Sequence, residues 1–147
     1  KGIEACDAGI EFVMIHDGVR PFVSQSVIER NIEAVLHCGA VNSCTPSTDT
    51  LIAIDPTNPM RLNSILDREA HRRGQTPQSF DLSLIRRAHD RSRRSNATDD
   101  CSLVLDIPHP VTLVDGEEEN IKITTLFDFK IAEQLFLSKI SSAERVI

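Results

Sequence analysis

Apolar residues along this chain fall into two patterns. Some form short unbroken runs, and others recur every three or four positions in longer stretches. The first run, Glu11 to Ile15 (EFVMI), ends at His16-Asp17-Gly18. A run that short, bounded by turn residues, predicts a strand buried on both faces. A helix is predicted from a cap at Ser24 or Ser26 to about His37. It places Val27, Ile28, Ile32, Val35 and Leu36 on one stripe and stops at Gly39. AVNSCTP, residues 40–46, predicts a second strand. Residues 48–66, TDTLIAIDPTNPMRLNSIL, alternate around a Pro/Asn turn and predict a two-stranded arm over about 50–66. QTPQSF, residues 75–80, follows Gly74 and contains Pro77, the composition of a turn-rich linker.

Helices are predicted from Ser83 to about Arg91 and near Asp99 to Leu105, followed by a strand at VTLVDG and a short extended piece at NIKIT. Thr125-Leu126-Phe127-Asp128 has the form of a capping box, opening a last helix to about Lys139. Its apolar face would be Phe127, Ile131, Ala132, Leu135 and Phe136. Strands alternating with helices give an α/β fold with a mainly parallel sheet. Ligands of such sheets sit beyond the carboxyl ends of the strands, and His16-Asp17 lies at such an end.

Composition narrows the function classes. The chain has 147 residues, 40% apolar and 26% charged, one domain's worth of globular protein. A formal charge of −6 argues against general binding to nucleic acid or an anionic membrane, and no apolar run approaches a bilayer span. The start shows no signal-peptide pattern, and it opens on Lys1 rather than Met, as a fragment or processed piece would. Cys6, Cys38, Cys44 and Cys101 form no CxxC pair or zinc spacing, and four thiols in this length suit a reducing cytoplasm. The six glycines never cluster, so no Gly-rich phosphate loop is present.

Candidate chemistry begins with Asp17 and Arg20. Beyond a strand end, a carboxylate can hold a hydroxyl or a cation's water shell, while a guanidinium grips phosphate bidentately. A local salt bridge closing the loop is the alternative. Lys122 is one of four lysines and sits between Ile121 and Ile123, so alternation points it away from them. Facing a cleft, it would stabilise charge developing in phosphoryl or nucleotidyl transfer; otherwise it is a solvated strand lysine. Arg68 follows Asp67 at the foot of the arm, and Thr50, Thr76 and Thr98 occupy turn-like contexts, with a helix cap the favoured role for Thr98. The basic run RRAHDRSRR, residues 86–94, reads as a solvated helix end rather than a polyanion site.

In order, HDGVRPF, TDT at 48–50, DR at 67–68, QTPQSF, TDD at 98–100, GEEENIKIT at 116–124 and DFKIAEQLF resemble one family. It is the polyol-phosphate cytidylyltransferases, which comprise the methylerythritol-phosphate and ribitol-5-phosphate enzymes. The resemblance runs from about Gly2 to Leu137. It implies a Rossmann-like sheet of nucleotidyltransferase type with a protruding β-arm. It further implies transfer of CMP from CTP to a polyol phosphate, with pyrophosphate leaving with magnesium. Arg68 and Lys122 would position the attacking phosphate, while Asp17, Arg20, Thr50, Thr76 and Thr98 would line the polyol-phosphate pocket. Asp17, Gly18 and Lys122 would also lie on the nucleotide side. In this family the arm crosses to a second subunit, which implies a homodimer with Arg68 acting in the partner's site.

The pattern departs from the family at two points. The Gly-rich triphosphate loop and the next glycine-rich segment are missing, so the chain corresponds to the C-terminal two-thirds of the domain. These 147 residues alone are expected not to turn over CTP. Gly18 stands where Ala or Ser is usual. RGQTPQ, TDDC and GEEENIKIT lean towards the ribitol-phosphate branch. The alternative is a non-catalytic remnant that binds phosphate ligands or only dimerises.

Overall fold

The structure is a computed structural model that describes residues 2–92, 97 and 99–144. A short 3-10 turn, Ile3–Ala5, precedes β1, Phe12–Ile15. Then come α1 (Gln25–Cys38), β2 (Ala40–Pro46), β3 (Ile52–Asp55) and β4 (Asn58–Ile65). A 3-10 turn at Arg68–Ala70 leads into β5 (Arg72–Asp81), α2 (Leu82–Arg91), α3 (Asp100–Val104), β6 (Thr112–Asp115) and α4 (Leu126–Glu144).

The main sheet has the order β1-β5-β2-β6. Strand β5 runs antiparallel to both neighbours, and β2 pairs parallel with β6. Three of the four strands therefore point the same way, as the α/β pattern predicts, and β5 is inserted against them. Strands β3 and β4 form a separate two-stranded sheet, the predicted arm.

Side-chain alternation assigns the layers. Phe80 on β5 and Ala40 on β2 pack with Leu82, Leu84, Ile85, Ala88, Leu103, Val104 and Ile107, so α2 and α3 cover that face. On the other face, Ser79 and Ser43 meet Asn31 of α1. Helix α1 begins where Ser24 Oγ accepts from the Val27 amide (3.2 Å) and ends at Gly39, whose φ of +74° is left-handed.

Its buried stripe is Val27, Asn31 and Val35, whereas Ile32 and Leu36 of the expected stripe are 48% and 57% exposed. Apolarity alone points one position too far round the helix, because Asn31 is buried with both ends of its amide bonded. Asn31 Nδ2 donates to Val27 O (2.9 Å) and Ser43 Oγ (2.8 Å), and its carbonyl accepts from Ser79 Oγ (3.1 Å).

Three further expectations need correction. QTPQSF is no linker: it is the buried centre of β5. Pro in a central strand normally argues against that reading, except at a bulge. Pro77 lies where the β2–β5 register shifts between Asn42 and Cys44, so its missing N–H costs no ladder bond. The polar residues that read as a turn find partners instead. Gln78 Nε2, for example, donates to Asp99 Oδ2 (3.2 Å) and Asn42 Oδ1 (3.3 Å).

Strand β1 is half-buried rather than buried on both faces, with Met14 exposed, because it lies at the sheet edge. Helix α4 has the predicted reciprocal capping box, with Thr125 N donating to Asp128 Oδ2 (2.7 Å) and Asp128 N to Thr125 Oγ1 (3.2 Å). Of its expected apolar face Ala132 is buried, whereas Phe127 and Phe136 are 70% and 58% exposed. The described segments of the helix rest little surface on the sheet.

No helix among the described residues is long and apolar enough to cross a membrane. The four cysteines are free, and burial first of all pushes the Cys101 thiol up to about 12, the condition of an inert thiol.

Candidate functional site

Where β1 leaves the sheet, Asp17 to Arg20 form a turn closed by the Arg20 amide on Asp17 O (3.0 Å). Gly18 has no positive φ and a Cβ built on it would meet nothing within 4 Å, so the turn itself does not require glycine there. The turn aims Arg20 back onto its own start: Arg20 Nε donates to Asp17 Oδ2 at 3.2 Å. Lys122 Nζ reaches the same oxygen at 3.2 Å. Arg20 Nη1 also donates to the Asn120 carbonyl (2.7 Å), which joins the turn to the segment carrying Lys122.

Thr76, on the neighbouring strand β5, completes the cluster. Its Oγ1 accepts from the Asp17 amide (3.0 Å) and lies 3.0 Å from His16 Nδ1, while His16 Nε2 lies 2.9 Å from the Arg20 carbonyl. A carbonyl only accepts, so Nε2 carries a proton, and Nδ1 accepts a hydrogen bond from the Thr76 hydroxyl. The chain of donors from Asp17 N through Thr76 and His16 to Arg20 O is then consistent at every link.

Lys122 lies beyond β6 in a stretch without regular structure, Ile121 to Thr124. It is held from β5: Gln75 Nε2 donates to Glu117 O (2.9 Å) and Gln75 Oε1 accepts from Glu117 N (3.2 Å). Asn120, fully buried, donates from Nδ2 to Thr76 O (2.8 Å) and Gln75 Oε1 (3.4 Å). The Ile123 amide donates to Val19 O (2.9 Å), and Ile121 and Ile123 turn inward while Lys122 turns out, as alternation predicts.

Burial alone would raise the Asp17 carboxyl, but hydrogen bonds and charge from Lys122 and Arg20 outweigh it and hold it below its ordinary value. Two cations against one carboxylate leave the strand end net positive. Arg20 is nearly covered, with 11% of its side chain exposed, whereas Lys122 keeps 47% in solvent. An incoming anion therefore meets the lysine first. Such a cluster suits holding a phosphate by charge and geometry.

Of the residues expected at a site, the structure brings Asp17, Arg20, Thr76 and Lys122 together. Arg68 is elsewhere. It lines a separate cleft of about 630 Å³ with Pro46, Ser47, Thr48, Glu69 and Arg72, and its Nη1 donates to Thr48 O at 3.5 Å. Thr50 is exposed in the loop before β3. Thr98 lies outside the described residues, and the cap of α3 is filled by Asp99, whose Oδ1 accepts from Ser102 N (2.8 Å).

Within the basic run, Arg86 donates to Ile3 O (3.1 Å) and His89 meets Asp100 (2.9 Å), while Arg93 and Arg94 lie outside the described residues. Among the described residues no group of three or more His, Cys, Asp or Glu converges as a metal site, and Asp17 is already shared by two cations. That donor set does not fit a protein-held magnesium.

His16, Gln75, Gly116 and Asn120 escape a reading by residue type. Their partners lie up to 100 positions away, and an amide or a glycine carries no local signal of its role. The run NIKIT marks the segment without marking what holds it.

Residues 1–138 match the protein family described as 2-C-methyl-D-erythritol 4-phosphate cytidylyltransferase. A protein of that name from Synechocystis is 36% identical over 135 residues, covering 90% of this chain and 58% of its own length. The crystal structure of 2-C-methyl-D-erythritol 4-phosphate cytidylyltransferase from Thermus thermophilus is 40% identical with a TM-score of 0.78, over 90% of this chain and 64% of that one. That of 4-diphosphocytidyl-2C-methyl-D-erythritol synthase from Anaerococcus prevotii is 36% identical with a TM-score of 0.83, over 92% and 63%. The chain thus spans about three-fifths of the length of these relatives.

Proposed function

This chain belongs to the 2-C-methyl-D-erythritol 4-phosphate cytidylyltransferase family, and from that premise we propose that its strand-end cluster binds the phosphate of a polyol phosphate during CMP transfer from CTP. A phosphate oxygen of the polyol phosphate attacks the α-phosphorus of CTP. The bond from that phosphorus to the bridging oxygen breaks, and pyrophosphate leaves with the electron pair. The product is a CDP-polyol, formed without a covalent enzyme intermediate. Catalysis of this kind is positioning plus stabilisation of charge.

The observation that carries the reading is the convergence of Lys122 and Arg20 on Asp17 beside Thr76. Lys122 steadies the attacking phosphate, Arg20 and Thr76 line its pocket, and Asp17 keeps both cations aimed. Asp17 and Gly18 also border the nucleotide.

Arg68 lines a different cleft of its own chain, which supports a part for it in the site of a second copy. The arm supports a homodimer. Ile52 lies opposite Ile65 and Ile54 opposite Leu62, and these four side chains are each more than half exposed. The substrate is methylerythritol phosphate, the polyol in the family's description, in place of the ribitol phosphate towards which RGQTPQ and TDDC lean. Any divalent cation would travel with the triphosphate, and a cytoplasmic setting suits the four free thiols.

The test uses the full-length protein with CTP and either polyol phosphate. Pyrophosphate release with methylerythritol phosphate is expected. Turnover of ribitol phosphate alone overturns the substrate, and release with neither overturns the reading. Robust turnover by these 147 residues alone would show that the family's glycine-rich segments are dispensable.

A further inference from the structure

We propose that Gln75, seated against Gly116, is a positioning residue that sets the aim of Lys122 and Arg20 through the 116–120 turn. The inference rests on the reading of those two cations as the phosphate-holding groups.

Lys122 is a point charge on a flexible stem, so its aim depends on the backbone that presents it. That backbone lacks strand pairing, and the Gln75 amide supplies the missing order. It engages both backbone groups of Glu117, at 2.9 and 3.2 Å, as a neighbouring strand would. It also accepts from Asn120 Nδ2 (3.4 Å), the same residue whose carbonyl receives Arg20. Gln75 is 8% exposed and Asn120 fully buried, so little water competes for these bonds. One buried amide thus holds the turn that receives Arg20 and delivers Lys122 two residues later.

Gly116 is the seat of that amide. Its φ is not in the left-handed region, so backbone conformation does not demand glycine. Space does: an added Cβ would lie 2.2 Å from Gln75 Oε1 and 3.3 Å from the Cys44 carbonyl. A methyl group there must displace the amide.

The test compares Gln75→Ala, Gly116→Ala and the double variant in the full-length protein. Each single substitution is expected to lower kcat/KM for the polyol phosphate about 10- to 100-fold. The double variant should be no worse than Gln75→Ala, because the displaced group is already gone. Titration of the Asp17 carboxyl by carbon-13 NMR supplies a readout independent of turnover. It should move upward in both single variants as Lys122 is released.

Folded variants with unchanged Asp17 titration and unchanged kcat/KM overturn the proposal. Failure of both single variants to fold also counts against it, since the residue would then be structural. If the wild-type protein transfers no CMP, the functional reading falls, while the Asp17 titration still decides whether the amide aims Lys122.

Discussion

The strand-end cluster and the arm carry charged residues that the proposed reaction joins, yet they are built in opposite ways. Around Asp17 the bonds are long-range, from β1 to β5 and to the segment after β6, and they are part-buried. Around Arg68 they are local. The arm's two strands pair with each other alone, β4 is exposed along its length, and Arg68 reaches the Thr48 carbonyl at the limit of a hydrogen bond. A group fixed by buried bonds from three elements is preorganised within one chain. A group on an exposed two-stranded sheet is aimed only when something else covers that sheet.

The largest effect expected from breaking this contrast is at Lys122. In the full-length protein, Lys122→Ala should reduce kcat about 10²- to 10³-fold, the usual cost of removing a positioned charge-stabilising donor. Circular dichroism should show the fold intact, because the side chain is 47% exposed. A near-normal rate would remove Lys122 from the mechanism.

Arg68→Ala should be comparably inactive for a different reason, and mixing separates the two. Equal parts of the Lys122→Ala and Arg68→Ala proteins, allowed to exchange subunits, should regain activity if Arg68 acts across the dimer. Continued inactivity of demonstrably mixed dimers would confine Arg68 to its own chain or exclude it.

A smaller effect sharpens the arm's side of the comparison. Ile54→Asp or Leu62→Asp places a charge on its exposed apolar face and should weaken self-association in sedimentation experiments. The Asp17 titration should stay where it is. Stability of the separated chain should change by no more than about 0.5 kcal/mol, as for other surface positions.

The smallest effect is in the pH dependence of stability. The Asp17 carboxyl titrates below its ordinary value of 3.8 in the folded chain. Its contribution is therefore fully present above that value and is lost as pH falls through the folded pKa. The stability difference between wild type and Asp17→Asn, measured by urea unfolding, should shrink between neutral pH and about pH 3. A difference that grew on acidification would mean that the carboxyl does not gain from its two cations.

The two sides also differed in how far they could be read in advance. Turn composition at the Pro/Asn tip and strict alternation made the arm legible, because its register depends on neighbours within one hairpin. Half of the cluster was legible as well. An acid and a guanidinium where a strand ends, and a lysine between isoleucines, are local signals of a charged strand-end site. The other half was not, and QTPQSF shows why. Gln75, Pro77, Gln78 and Ser79 have the composition of a loop, and nothing nearby supplies the partners that let a strand bury them. Those partners are Glu117, Asn42, Asp99 and Asn31, brought in from four separate elements.

By itself, then, the order of residues determined where most helices and strands lie, how α1 and α4 are capped, and which charges stand at the end of β1. It also determined the family, through motifs that keep their order along the chain. Tertiary structure alone decided that β5 threads the sheet against its neighbours and that Asn31 replaces an isoleucine in the buried stripe. It also decided that Gln75 and Asn120 hold the loop of Lys122. The physical reason is the range of the interactions. Capping, turns and periodicity are settled within a few residues, whereas a buried amide is stable only where distant chain segments meet its donors and acceptors.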